Sequence, residues 1–74
     1  MSQIKRSLSL AGHRTSLALE PEFWAVLDAA CAKTGRSLAS LVAEIDAARI
    51  REGLDGGLAS ACRVWALRHV QSRA

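Results

Sequence analysis

The stretch HRTSLALEPEFW, residues 13–24, changes structural type in its middle. Leu17 and Leu19 alternate with Ser16 and Ala18, the period of two of a strand with one buried face, and Glu20-Pro21-Glu22 then opens a helix. Such a strand needs a partner, and its polar side, Arg14, Ser16 and Ala18, is left free for contact. Upstream, KRSLSL (residues 5–10) alternates in the same way. Two readings are open for residues 1–13. In the first they add a strand, with Gly12-His13 as a two-residue type II′ loop that sets Leu10 opposite Thr15, Ser9 opposite Ser16 and Leu8 opposite Leu17. Leu8, Leu10, Leu17 and Leu19 then share one face, and Ser7, Ser9, Arg14, Ser16 and Ala18 the other. In the second they are a mobile basic arm, and only residues 14–19 form a strand.

Downstream the period is helical. Pro21 suits a first helical turn, where its missing N–H costs nothing, and Glu20 and Glu22 sit at the positive end of the helix dipole. Phe23, Leu27, Ala30, Cys31 and Thr34 follow the helical repeat with Trp24 beside them, and Gly35 ends the run. Ser37 is the natural N-cap of a second helix over about 38–52, whose apolar stripe is Leu38, Leu41, Val42 and Ile45. Gly53, Gly56 and Gly57 mark a connector over 53–57. A third helix over about 58–72, within a C-terminal segment 58–74, shows an apolar pattern of Leu58, Ala61, Cys62 and Trp65 and, less regularly, Val64, Leu67 and Val70, with Arg63, Arg68 and Arg73 outward.

Seventy-four residues make one domain. A chain of this size buries only roughly 60% of its unfolded surface, so a second copy is the expected source of additional core. The two cysteines, Cys31 and Cys62, lie in apolar helical patterns and read as buried free thiols of a reducing cytoplasm. With His13 and His69 scattered, no metal-ligand spacing exists, and no cofactor is expected. Nor is an enzyme: no nucleophile, base and orienting group stand together, and Glu44 and Asp46 point to different sides of their helix. No apolar run approaches a signal peptide or membrane span, so the expected location is cytoplasmic, away from membranes. The net charge of +3 is uneven. Residues 1–19 and 58–74 carry three bases each and no acid, whereas residues 20–57 hold all seven acids against four bases. A dimer would double each basic patch.

A strand followed by two helices joined through a Gly-containing turn resembles the ribbon-helix-helix family of repressors, which includes Arc and the methionine repressor. The residues that carry the resemblance are Thr15-Ser16-Leu17-Ala18-Leu19, then Pro21, the Phe23/Trp24, Leu27 and Ala30/Cys31 stripe, then Gly35-Arg36-Ser37 and Leu41-Val42. They cover residues 14–52, and the wider text is similar to a bacterial subfamily with an extra N-terminal segment and a third helix. The resemblance implies a mainly α fold with a short N-terminal β-ribbon, an intertwined homodimer and an additional C-terminal helix. It further implies that strands of two chains pair antiparallel over a shared core of Leu17, Leu19, Phe23, Leu27, Leu41, Val42 and Ile45. The ribbon's outer face would enter the DNA major groove, placing Arg14, Ser16 and Ala18 at bases and Ser37 at a phosphate. Lys5 and Arg6 would add phosphate contacts from the N-terminal segment.

Of the base-facing trio only Arg14 is a strong reader, suited to guanine O6/N7; Ser16 is a tolerant hydroxyl, and Ala18 offers van der Waals contact to a thymine methyl. Sheet width separates two functional expectations. Two strands per dimer with a free polar face favour a transcriptional regulator that binds duplex DNA, one form of which is an antitoxin. If instead 5–10 pairs with 14–19 in each chain, an edge-joined dimer has four strands spanning roughly 14–15 Å at ~4.8 Å spacing, too wide for a groove of ~12 Å. That arrangement favours a dimeric protein-interaction module that keeps the fold, does not bind DNA and docks its partner on the third helix.

Overall fold

The computed structural model of the chain describes residues 2–53 and 56–73. Its elements run β1 (Ile4–Leu10), β2 (His13–Leu19), α1 (Pro21–Thr34), α2 (Leu38–Arg51) and α3 (Leu58–Ser72). Leu54 and Asp55 of the expected connector, with Met1 and Ala74, lie outside the described residues.

β1 and β2 form a two-stranded antiparallel hairpin, so β2 finds its partner inside its own chain. Residues 4–10 are therefore a strand and not an arm, and a second chain is not needed to pair β2. The loop differs from the type II′ expectation. Ala11 (φ 51°) and Gly12 (φ 83°) both take left-handed backbone, as a type I′ turn requires, and His13 joins the strand. Leu10 consequently faces His13, Leu8 faces Thr15, Arg6 faces Leu17 and Ile4 faces Leu19, a register two residues from the expected one. A slip of two leaves every side chain on its own face, so alternation alone does not choose between these registers. The observed register goes with the Ala11-Gly12 turn, and it sets Ile4 and Arg6 against α1 at the open end.

The three helices cover one side of the hairpin. Leu10, Leu17 and Leu19 from the strands meet Trp24, Leu27, Ala30 and Cys31 of α1, Leu41, Val42 and Ile45 of α2, and Cys62 and Ala66 of α3 in one core. Each large aliphatic side chain buried there is worth about 1.5–3 kcal/mol. Six of the seven residues expected at a dimer core are thus buried within the single chain; the seventh, Phe23, is half-buried. Cys31 and Cys62 are free and buried, and burial pushes the Cys62 thiol up to about 11.

Local chemistry sets the helix ends. The carbonyl of Glu20 accepts from the N–H groups of Phe23 and Trp24 at 3.0 and 3.2 Å, with Pro21 in the first turn. Gly35 (φ 72°) stops α1 in the left-handed conformation that a side chain would disfavour, its N–H returning to the Cys31 carbonyl at 2.8 Å. Ser37 then caps α2, its Oγ accepting from the Ser40 N–H at 3.1 Å. α3 is fastened to the start of α1 by Arg63, whose guanidinium donates to both carboxylate oxygens of Glu20 at 2.8 and 3.2 Å.

Candidate nucleic-acid interface

The outward face of the hairpin is built by strand alternation from two rows of three side chains. Lys5 lies opposite Ala18, Ser7 opposite Ser16 and Ser9 opposite Arg14. All are exposed except Ala18, which is half-buried. The face therefore offers two cations, three hydroxyls and a methyl, with no carboxylate in either row. Among the described residues the four ion pairs use Arg6, Arg36, Arg49 and Arg63, so Lys5 and Arg14 are not engaged in one. Such a surface matches the acceptor-rich edges and phosphates of a duplex.

Three of the expected contact residues, Arg14, Ser16 and Ala18, lie together on β2, and the hairpin register brings Lys5 beside them. Arg6 does not join this group. It projects from the helix-covered face, where its guanidinium donates to both Asp28 carboxylate oxygens at 2.9 and 3.0 Å and lies 4.3 Å from the centroid of the Trp24 ring. The Asp28 hydrogen bonds hold Arg6 charged above its ordinary range. A guanidinium so engaged fastens β1 to α1 rather than reaching for a phosphate. The sequence carries this signal: Arg6 is in phase with Leu8 and Leu10, not with Ser7 and Ser9.

Ser37 stands apart, at the start of α2, with its hydroxyl occupied by the cap. Next to it Arg36 donates to the carbonyl and hydroxyl of Ser40 and pairs with Glu44 at 3.2 Å, so its charge at that helix start is already partnered. Ser7 and Ser9 were legible as partners of Ser16 on one face of a hairpin but carry no motif; only the closed hairpin makes them neighbours of Arg14.

The residues that hold the interface in place are Trp24 and Glu20. Trp24 is 2% exposed, and its indole N–H donates to the Ile4 carbonyl at 2.7 Å. Glu20 receives Arg63 and, at 3.2 Å, the side-chain amide of Gln3, and its carboxyl is lowered to about 2 by those hydrogen bonds, Arg63 first, and by its own backbone N–H. Both clamps tie the open end of the hairpin to the helices.

Elsewhere, α2 and α3 border a cavity of about 370 Å³ whose wall includes Ile45, Ala48, Val64, Trp65 and Arg68. Val64, Leu67 and Val70 of α3 are exposed, and Trp65 stacks on His69 at 4.8 Å. No group of three metal-ligating side chains occurs among the described residues, and no described helix is long and apolar enough to cross a membrane.

Comparison with curated proteins and with solved structures returned no match. A family model described as "Ribbon-helix-helix domain" matches residues 3–70, which includes β1 and most of α3 as well as the strand and two helices between them. The chain belongs to the ribbon-helix-helix family, whose members generally bind DNA as dimers and are typically regulators rather than enzymes.

Proposed function

We propose that this protein is a DNA-binding transcriptional regulator of the bacterial repressor type, acting in the cytoplasm as a homodimer. The observation that carries the reading is the outer face of the hairpin, exposed, cationic and free of carboxylates, with Arg14 as its strongest base reader. Arg14 supplies a bidentate donor for guanine, Ser16 a hydroxyl that serves either base edge, and Ala18 a methyl contact to thymine. Ser37 and its neighbours bring free N–H groups at a helix start to a phosphate, and Lys5 adds a second cation.

The test is fluorescence anisotropy of the purified chain with random and selected duplexes over a range of salt. Binding that weakens steeply with salt, and loses its preference for one sequence by about 1–3 kcal/mol in Arg14→Ala, supports the reading. Failure of the wild type to bind any duplex at low salt overturns it.

A second reading is favoured by the pairing of β1 with β2 within one chain, the arrangement expected of a protein-interaction module because two such hairpins joined edge to edge are too wide for a major groove, and by α3. Val64, Leu67 and Val70 leave apolar surface on a helix that also carries Arg68 and Arg73, so a protein partner docked there would make the chain an interaction module or an antitoxin. Sequence-specific DNA binding together with a partner on α3 is the antitoxin case; a partner without DNA binding is the module.

A further inference from the structure

We infer that the cleft between α2 and α3 is a binding site for a small elongated carboxylate, one with a flat apolar body and a hydrogen-bond donor at the end away from its carboxylate. The inference is independent of the DNA-binding reading, because the cleft lies between helices and not on the hairpin face.

The first observation is shape. The cleft holds about 370 Å³, within the roughly 300–1,000 Å³ of small-molecule sites, and it runs along both helices. From Ile45 to Glu52 its wall follows ~10 Å of helix rise on α2, and from Ser60 to Arg68 it follows ~12 Å on α3. The space exists because Ala48 on one side and Ser60 and Ala61 on the other are too small to fill it. Leu67 and Val70, which are exposed on α3, lie outside the wall, so the cleft is distinct from the remaining apolar surface of that helix.

The second observation is the apolar part of the wall. Ile45, Ala48 and Val64 give it aliphatic sides and Trp65 an aromatic one, its ring held by stacking on His69 at 4.8 Å with 10° between the planes. A flat ligand body buries area and gains dispersion against such a wall, and a ring already held in place loses little freedom when the ligand arrives.

The third observation is that the wall carries opposite charges that do not neutralise each other. Arg49 is occupied, its Nε and Nη2 both donating to one carboxylate oxygen of Asp46 at 3.0 and 2.7 Å. Arg68 and Glu52 take part in none of the four ion pairs among the described residues, although both border the cleft. Glu52 caps the end of α2 and Ser60 lies in the first turn of α3, whereas Arg68 stands about two turns further along α3. A guanidinium offers a carboxylate two parallel hydrogen bonds, and the Glu52 carboxylate and Ser60 hydroxyl accept from a hydroxyl or ammonium donor at the connector end. An α-amino acid does not suit this spacing, because both its charged groups hang from one carbon. A ligand with its polar groups at opposite ends of an apolar body does.

The experiment titrates para-hydroxyphenylpropanoate into the full chain and follows the indole N–H resonances of Trp65 and Trp24 by NMR. Trp65 borders the cleft and Trp24 is buried in the core, so the second serves as an internal control. A saturable shift confined to Trp65 is expected. The corresponding primary amide should bind about 10- to 100-fold more weakly, and Arg68→Gln should impose the same loss on the carboxylate and none on the amide. Phenylpropanoate, which lacks the hydroxyl, should bind about 3- to 10-fold more weakly than the parent probe. Arg68 is exposed, and an unchanged melting curve verifies the fold of its variant. The inference falls if no probe shifts Trp65 saturably, if acid and amide bind alike and Arg68→Gln changes neither, or if sodium acetate alone reproduces the shift. A Trp65 resonance that moves with protein concentration and not with probe places a second copy over the cleft and overturns the inference as well. The DNA-binding reading stands or falls separately, on anisotropy with duplexes.

Discussion

The indole N–H of Trp24 donates to the main-chain carbonyl of Ile4 at 2.7 Å, joining the first turn of α1 to the first residue of β1. One hydrogen bond thus connects the helical layer to the strand farthest from it in sequence order, and the same ring carries Arg6 on its face. Trp24→Phe keeps most of the buried bulk and removes the donor. We expect a loss of about 0.5–1.5 kcal/mol for the hydrogen bond, with a further loss where the smaller ring leaves space. Amides of residues 5–9 should exchange faster than those of α1 and α2. Equal protection of β1 in wild type and variant would show that the strand is held without this bond.

Glu20 couples stability to acid. Its carboxyl titrates at about 2 in the fold against an ordinary value of 4.5, chiefly because the Arg63 guanidinium donates to it. A depressed carboxyl stabilises the fold above its unfolded value, and that contribution is lost as pH falls from about 4.5 toward about 2. Glu20→Gln should lower stability at neutral pH and flatten the acid limb between those values, as read by denaturation at a series of pH values. An acid limb as steep as that of the wild type would place the titrating group elsewhere.

The turn contains a correctable strain. Ala11 has φ 51°, a left-handed conformation that costs an ordinary residue roughly 1–2 kcal/mol and that asparagine tolerates. Ala11→Asn creates the Asn-Gly pair favoured by type I′ turns and should raise stability by about 1 kcal/mol. Since Ala11 is exposed, the gain should come without repacking the core, and thermal melting measures it directly.

Ser37 separates a cap from a phosphate contact. Loss of its hydroxyl in Ser37→Ala frees the Ser40 N–H and should cost about 0.5–2 kcal/mol of stability. Ser37→Asp preserves a capping oxygen but adds negative charge where a phosphate would sit, so it should retain stability and weaken DNA binding. Undiminished DNA affinity in Ser37→Asp would confine Ser37 to the cap.

Local chemistry made much of this protein legible in its sequence. The helical repeat from Phe23 to Thr34, the stop at Gly35, the cap at Ser37 and the apolar stripe through Leu41, Val42 and Ile45 each depend on residues within one or two turns of one another. The two strand faces follow from alternation alone, which is why Ser7, Ser9, Arg14, Ser16 and Ala18 fell on one side under either register. Tertiary structure decided what alternation leaves degenerate. A two-residue slip costs no change of face; the observed register goes with the Ala11-Gly12 turn and with contacts at the open end, Ile4 with Trp24 and Arg6 with Asp28, twenty and twenty-two residues apart. The same contacts turned Arg6 from a free cation into a clamp and anchored β1 to α1. Pairing between distant segments depends on which surfaces meet after collapse, and no local pattern encodes that.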